Sequence, residues 1–402
     1  MHMIERESFT ECSACGSGNL KEICALPKFP HIGVYLKDRG RENAFPEIDN
    51  ALTYCTACGH VQLGFAIDQK FLYSPDFQHK TSQSASARQA NEFLFGFVKK
   101  VVAGRRLKHV VEIGCNDTFL LQMLESVSDR LFGLDPILAG KEKEFLGSVS
   151  EASRHKYGII GNFIENVDFK SEIGSSPDLV VSNFVFEHIK SPRRVLEKAF
   201  QRVSDDTIFV IGVPGTEFVV DNGRFDQLSH QHYQQFTVES YHSMLNRLGA
   251  KIIDTTVNYT NWGQIVVAFS RGDGKPRDIA KPRYTFDEIC ASKERFHGSL
   301  EIFKQSLRVS GKTRKVYGFG AAQNFPILDY FAGGFEDFRV ILDDHPMRQD
   351  TFYPRLPYSI EKPMERHEGC AAAITGPDYG RALVRRTTEL GFEQIIMPFG
   401  VV

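Results

Sequence analysis

The segment Val110-Val111-Glu112-Ile113-Gly114-Cys115-Asn116-Asp117 decides the fold. HVVEIG (109–114) is a short apolar run rich in β-branched residues, and it reads as a buried strand that stops at a glycine. DTFLLQMLESV (117–127) follows with helical spacing. A strand that ends on glycine ahead of a helix opens a doubly wound α/β sheet, and the glycine lets a ligand come close to the backbone. The next strand, LFGLD (131–135), ends on Asp135, 21 positions after Gly114, where a carboxylate meets ribose hydroxyls. Dinucleotides and S-adenosylmethionine both use such a site. Three features favour the latter. Only Gly114 is present, not the GxGxxG triplet. Glu112, just before the glycine, suits a cationic methionyl group better than a pyrophosphate. The fourth strand, PDLVVSNFVFEHIKSP (177–192), carries the polar Asn183, followed by Phe186-Glu187-His188-Ile189.

Outward from this unit the alternation persists. KYGIIGNF (156–163), DTIFVIGVP (206–214), AKIIDTTVNY (250–259) and QIVVAFSR (264–271) read as strands. PRRVLEKAFQRV (192–203) and ESYHSMLNRLG (239–249) read as helices, as does SARQANEFLFGFVKKV (86–101) upstream. Residues 272–284 are a linker, 285–309 one long helix, and strand–helix alternation resumes from 314. Strand-like runs precede all this at Tyr54–Gly64 and around Ile32–Leu36. The expected architecture is α/β in three units: a module over 1–70, a Rossmann-like domain over 71–275, and a smaller Rossmann-like domain over 276–402, with linker and long helix at 276–310.

Eight cysteines occur, and four form two pairs, Cys12-Ser-Ala-Cys15-Gly and Cys55-Thr-Ala-Cys58-Gly. The two-residue spacer turns both sulfurs of a pair toward one ion. The glycine after it permits a left-handed backbone that aims amides at the thiolates. Cys12, Cys15, Cys55 and Cys58 thus read as a closed structural Zn2+ site; a pair of redox CxxC motifs or free thiols is the other reading.

The chain has 402 residues, 42% hydrophobic and 24% charged, an ordinary globular balance that excludes disorder or coiled coil as the main state. A net charge of −2 lacks the basic excess of a broad nucleic-acid surface. No apolar run reaches membrane-spanning length, and MHMIERESFT has no apolar signal region, so a cytoplasmic protein with no membrane or nucleic-acid partner is expected.

EIGCND, LDP, GNF and SNFVFEHI resemble the core of S-adenosylmethionine-dependent methyltransferases. With the CxxC pairs in front and VYGFGAAQN (316–324) behind, the whole chain resembles the three-domain sugar C-methyltransferases of deoxysugar biosynthesis. That resemblance implies an N-terminal zinc module, a central class I methyltransferase domain and a C-terminal Rossmann-like domain enclosing a nucleotide-linked keto sugar or similar phosphorylated small molecule. It implies cofactor contacts from Gly114 and Asn116 on the methionyl side, with Glu112 before them, from Asp135 on the ribose, from Asn162 and Phe163 at the adenine edge, and from Asn183 near the sulfonium. Asn162 and Phe163 also read as a strand-end turn and a core aromatic. Thr118 stands where the family usually has glycine.

Phe225-Asp226-Gln227-Leu228-Ser229-His230-Gln231-His232-Tyr233 resembles the family's Tyr-His-Glu-His segment, whose last histidine is the base. The resemblance thus assigns the base to His232. An imidazole with an ordinary pKa near 6.5 suits removal of a proton beside a ketone, and the resulting enolate attacks the sulfonium methyl. His230, and His232 itself, also read as hydrogen-bonded core histidines. Ser229 and Gln231 replace the family's Tyr and Glu, and Phe77 and His79 occupy positions of family tyrosines. His79 is a candidate replacement acid or base, or a solvated loop residue. These changes leave open methyl transfer to oxygen or another acceptor, or a scaffold that no longer methylates carbon. Two further readings are an NAD-dependent oxidoreductase and a zinc protein that binds nucleic acid. Gly318 and Gly320 read as a diphosphate cradle or as tight strand–helix packing.

Overall fold

The computed structural model describes residues 5–72, 81–147 and 149–400. His79 and Phe77 lie outside the described residues.

The N-terminal part contains β1 (Arg6–Ser8), β2 (Leu20–Phe29), β3 (Ile48–Cys55), β4 (Val61–Leu63) and β5 (Phe65–Ile67). β2, β3 and β4 form an antiparallel meander, and β1 pairs with β5. The ten-residue β2 is hidden in the sequence by Pro27 and its charged residues, and the register shifts there between Leu26 and Phe29. The expected run Tyr54–Gly64 is cut by the turn of the second cysteine pair. Ile32–Leu36 forms no strand; it makes isolated bridges, of which that of Leu36 goes to Phe352.

The central part holds β6 (Leu107–Ile113), β7 (Ser128–Leu134), β8 (Tyr157–Ile160), β9 (Leu179–Asn183), β10 (Ile208–Val213), β11 (Gln234–Gln235), β12 (Lys251–Asn258) and β13 (Gln264–Ser270). Seven of these form one sheet in the order β12-β13-β10-β9-β6-β7-β8. Its neighbours pair in parallel except β13, which runs antiparallel to β10 and β12. Chain order reverses between β6 and β9. That junction is the topological switch point, where ligands bind at the carboxyl edge of open α/β sheets. The helix Ala85–Val102, capped by Ser84, buries Leu94, Phe97 and Val98 on one face of this sheet with Val110, Leu131, Val181, Val210 and Val266. β11 leaves the sheet and pairs with β4, so the N-terminal meander takes a fourth strand from the central segment.

A capping box between Thr285 and Glu288 starts the long helix Phe286–Gly311. Beyond it lie β14 (Lys315–Phe319), β15 (Val340–Leu342), β16 (Thr351–Phe352), β17 (Ser359–Glu361), β18 (Cys370–Ile374) and β19 (Gln394–Ile396). They form a sheet of order β16-β17-β15-β14-β18-β19, parallel except for β16. One apolar core runs from the meander into this sheet through Phe29, Leu63, Phe225, Phe296, Phe325 and Tyr353. A second core joins the four paired cysteines to Val111, Ile113, Phe186 and Leu196. Among the described residues no helix is long and apolar enough to cross a membrane.

Candidate active site

The strand β6 delivers Glu112 and Gly114 to the switch point. Gly114 has φ +75°, and Val185 Cγ2, from the turn after β9, lies 2.2 Å from where a Cβ would stand, so only glycine fits. Here a protein side chain makes the close approach that the sequence suggested for a ligand. Asn116 donates its backbone N–H to Asp135 Oδ2 at 3.0 Å, and Ile137 N donates to Asp135 Oδ1 at 3.0 Å. This cap fixes the Asp135 carboxylate at the end of β7. Thr118 occupies the left-handed region at φ 59°, the conformation that glycine adopts freely. Its hydroxyl donates to Asp117 O and accepts from Gln122 Nε2 at 3.0 Å.

Glu112 is buried, and its Oε2 has no hydrogen-bond partner. Burial pushes its pKa well above the usual carboxylate range, and the charges of Asp135 and Asp117 push it further. Burial likewise raises Asp135. An edge at which Asp135 and Asp117 disfavour a further negative charge on Glu112 suits a cationic ligand better than a diphosphate. Beside them Ile137 and Phe163 are 52% and 46% exposed apolar surfaces. Asn162 accepts from Phe163 N at 2.8 Å and from Asn166 Nδ2 at 3.3 Å, so its side chain builds the turn that presents Phe163. The donor set fits S-adenosylmethionine: an acidic edge for the charged methionyl group, Asp135 for ribose, Ile137 and Phe163 for adenine.

Asn183 at the end of β9 belongs to a buried amide network. Its Nδ2 donates to Asn91 Oδ1 at 3.0 Å and its Oδ1 accepts from Gln264 Nε2 at 2.8 Å. The network holds β9 against β13 and the Ala85–Val102 helix. It places Asn183 as a strut at the cofactor edge, and sequence reasoning missed Asn91 and Gln264. Phe184 and Trp262 both have positive φ, 56° and 52°, and their rings meet edge to face at 5.6 Å. Two bulky residues in a strained conformation mark this end of the sheet.

The short turn after β9 carries Glu187 and His188. His188 Nδ1 donates to Gln231 O at 2.8 Å, and its Nε2 lies 3.7 Å from Glu187 Oε1. The ring of His232 packs on that of His188, centroids 4.8 Å apart. Reactive atoms of Glu187, His188 and His232 lie within 4.8 Å of one another. Both carboxyl oxygens of Glu187 are buried without a hydrogen-bond partner, and burial raises its pKa to about 8. Burial and the neighbouring His188 lower His232 to about 3, so its imidazole is neutral at pH 7. The His188 side chain keeps 23% exposure. His188 stood in the quoted FEHI motif without an assignment; its partner 44 positions downstream is a long-range contact.

His230 points elsewhere. It is buried, accepting at Nδ1 from Asn50 Nδ2 at 3.3 Å and donating from Nε2 to Phe29 O at 3.0 Å. Both ring nitrogens are thereby satisfied within the meander core. Ser229 Oγ is buried without a partner, and Gln231 Nε2 reaches Leu72 O at 3.5 Å.

The four paired cysteines are buried together, with Cys12 Sγ–Cys58 Sγ and Cys15 Sγ–Cys55 Sγ both at 3.6 Å. A tetrahedral zinc with Zn–S bonds of about 2.3 Å separates its sulfurs by about 3.8 Å, so the cluster is compatible with zinc. Gly16 and Gly59 have φ +79° and +72°, as the turns demand.

In the C-terminal sheet the strand–helix turn is already occupied by the protein. Gly320 N donates to Leu342 O at 2.8 Å, Ala321 N to Asp343 Oδ2 at 2.6 Å and Ala322 N to Gly320 O at 2.9 Å. A Cβ on Gly318 would meet Ile341 at 2.9 Å, and one on Gly320 would meet Leu383 at 2.7 Å. These glycines serve strand–helix packing, and the diphosphate cradle expected there is corrected accordingly.

Residues 86–255 match the family model described as a methyltransferase domain. The chain is 23% identical over 398 residues to the C-methyltransferase NovU of Streptomyces niveus, covering 92% of this chain and 88% of that protein. Among solved structures, the N-methyltransferase NodS of Bradyrhizobium japonicum with S-adenosyl-L-homocysteine superposes with a TM-score of 0.36 at 13% identity, over 49% of this chain and 93% of NodS. With the acidic switch-point edge and the matched domain, the enzyme is an S-adenosylmethionine-dependent methyltransferase.

Proposed function

We propose that the enzyme transfers a methyl group to a carbon beside the carbonyl of a nucleotide-linked keto sugar, with His232 as base and His188 as its partner. The observation that carries this reading is the packed pair of imidazoles beside the switch point, with the His188 side chain keeping 23% exposure. S-adenosylmethionine supplies an electrophilic methyl group on a positively charged sulfur. The substrate C–H proton goes to the His232 ring, and its electron pair forms the enolate. The enolate carbon would then accept the methyl group, and the cofactor would leave as a neutral thioether. Glu187 stands ready to balance the imidazolium: once ionised, its carboxylate sits within reach of both rings. Cys12, Cys15, Cys55 and Cys58 hold Zn2+ in a structural role. The sugar as acceptor rests on the likeness over nearly the whole chain to a protein named C-methyltransferase, together with the three-part resemblance.

The test is turnover with a panel of nucleotide-linked keto and non-keto sugars. A mass gain of one methylene, placed on carbon by NMR and confined to keto acceptors, is the expected result. Methylation of hydroxyl oxygen on non-keto sugars would replace this reading by O-methylation. Ser229 and Gln231 motivate that second reading: neither supplies the phenol or carboxylate of the resembled family.

A further inference from the structure

We propose that Gln234 and His60 are positioning residues that set the His188–His232 pair from the two cysteine knuckles. The inference rests on the assignment of those imidazoles as the base and its partner.

The argument starts at Gln234 on β11. Its Nε2 donates to two consecutive carbonyls, Ile189 O at 3.0 Å and Lys190 O at 3.1 Å, immediately after His188. The two carbonyls fix which way this amide points, since a flipped amide would set Oε1 against both. His60 holds the other end: its Nε2 lies 2.9 Å from Gln234 Oε1, which only accepts, so Nε2 carries the hydrogen. Its Nδ1 lies 3.3 Å from Ser240 Oγ. His60 is fully buried, as such a fixed element requires.

His60 belongs to the second knuckle: Cys55 N donates to His60 O at 2.8 Å, closing the turn around Cys58. The first knuckle reaches the same stretch. Ser13, between Cys12 and Cys15, donates from Oγ to Lys190 O at 3.3 Å and from its N–H to Gln62 Oε1 at 2.8 Å. Gln62 lies opposite Gln234 in the β4–β11 ladder. From the other side, Gln231 O accepts from His188 Nδ1, and Gln235 Nε2 donates to His232 O at 3.2 Å. Besides touching directly, the segments that carry the two imidazoles are thus held together through β4, β11 and the knuckles. Displacement of a catalytic group by about 1 Å costs about 100-fold in rate. A buried amide with three polar partners is the element that prevents such displacement.

The experiment uses the full-length, zinc-loaded enzyme and the variants Gln234→Leu, His60→Leu, His60→Gln and Ser13→Ala. Zinc content, melting temperature and calorimetric affinity for S-adenosylhomocysteine establish that each is folded and loaded. The readouts are kcat with its pH profile, and the ring 15N–1H NMR signals of 15N-histidine-labelled protein. Gln234→Leu and His60→Leu are expected to lower kcat about 10- to 100-fold. They should leave affinity for S-adenosylhomocysteine within about twofold and shift the His188 Nδ1–H signal. His60→Gln restores an N–H donor and is expected to recover most of kcat and the wild-type signal. Unchanged kcat and ring signals in Gln234→Leu would overturn the proposal, as would equal losses in His60→Leu and His60→Gln. If Gln234→Leu fails to fold, the His60 pair and the milder Ser13→Ala decide. His188→Ala and His232→Ala separate the two claims. Full turnover in both removes the base assignment. Dead alanine variants beside a wild-type Gln234→Leu remove only the positioning role.

Discussion

The ring of His188 meets that of His232 edge to face, with 4.8 Å between centroids and 67° between planes. Only one of the two has a fixed tautomer. The carbonyl of Gln231 holds a His188 hydrogen on Nδ1, which turns Nε2 toward the trio. A proton reaching His232 therefore has a second imidazole next door and a carboxyl beyond it. Removing either imidazole leaves the buried Glu187 without its counterpart. His232→Ala is expected to lower kcat by about 100- to 10,000-fold and His188→Ala by at least about 10-fold. S-adenosylhomocysteine affinity by calorimetry should stay within about twofold, because neither ring touches the Glu112–Asp135 edge. A matching loss of affinity would show that the rings serve cofactor binding instead.

Glu187 gives this site a pH signature. Burial holds its carboxyl near pH 8, so it is largely neutral at pH 7 and ionised at pH 9. The ionised form stabilises an imidazolium next to it and so assists proton removal. The rate is expected to rise through pH 8 and level off above it. Glu187→Gln removes the titrating group, and its kcat profile should lose that limb and sit about tenfold below the wild-type plateau. A wild-type limb retained in Glu187→Gln would assign the titration to another group.

Thr118 is a β-branched residue in a left-handed conformation, at φ 59°. Such strain costs about 1–3 kcal/mol, while glycine pays about 0.5–1 kcal/mol of chain entropy in its place. Thr118→Gly relieves that strain but also removes the hydroxyl that Gln122 Nε2 uses, so its melting temperature is expected to stay close to that of the wild type and above that of Thr118→Val. Thr118→Val keeps the strain and deprives Gln122 Nε2 of its acceptor, at a cost of about 1–2 kcal/mol. Thermal unfolding of the two variants gives the order; a more stable valine would mean that the backbone there is unstrained.

The sheet was readable where local pattern coincides with tertiary role. Val110, Val111 and Ile113 are buried on both faces of a parallel strand, so they form an unbroken apolar run that ends at an obligatory glycine. The long helix at Phe286–Gly311 carried its own capping box. The cysteine spacing announced a four-sulfur cluster because its geometry is set within each pair. What stayed illegible is made by partners far apart in sequence. Nothing local to Gln234 says that it pairs with Gln62 and clasps Lys190. Nothing near Gly320 says that Asp343 will take the amide next to it. His230 and His232 are two positions apart, and one is a core ring while the other meets His188. Their difference comes from Phe29 and Asn50, about 180 to 200 residues upstream.

The knuckles sit between the meander and the central sheet, in one core with Val111, Ile113 and Phe186. Without an ion to bind them, four thiolates would crowd together in that core. Structural zinc sites supply much of the folding energy of the modules that hold them. Cys55→Ser is expected to abolish stoichiometric zinc, measured by elemental analysis as one ion per wild-type chain, and to lower the melting temperature by at least about 5 °C. A variant that melts as the wild type without metal would show that packing alone holds the knuckles.

Acid stability follows from two fully buried imidazoles. Burial lowers His60 to about 4 and His230 to about 3, while an unfolded histidine titrates near 6.5. Below pH 6.5 the unfolded chain binds protons that the native one refuses. The stability that each neutral ring contributes is complete above pH 6.5 and drains away as pH falls toward the native value. At pH 5 the loss is about 2 kcal/mol for each ring. Glu187 and Glu217, raised to about 8 and about 7, act oppositely, since their cost to folding diminishes as pH falls. Comparing wild type with His230→Gln cancels those carboxyls. Glutamine removes one titrating ring while still offering an amide to Phe29 O. The variant should be less stable at pH 7.5 by about 1–3 kcal/mol. Its further loss between pH 7.5 and pH 5, read from urea midpoints, should be about 2 kcal/mol smaller than that of the wild type. Equal losses in the two proteins would mean that His230 is protonated in the folded state at pH 5, and that the pairing with Asn50 and Phe29 does not hold it neutral.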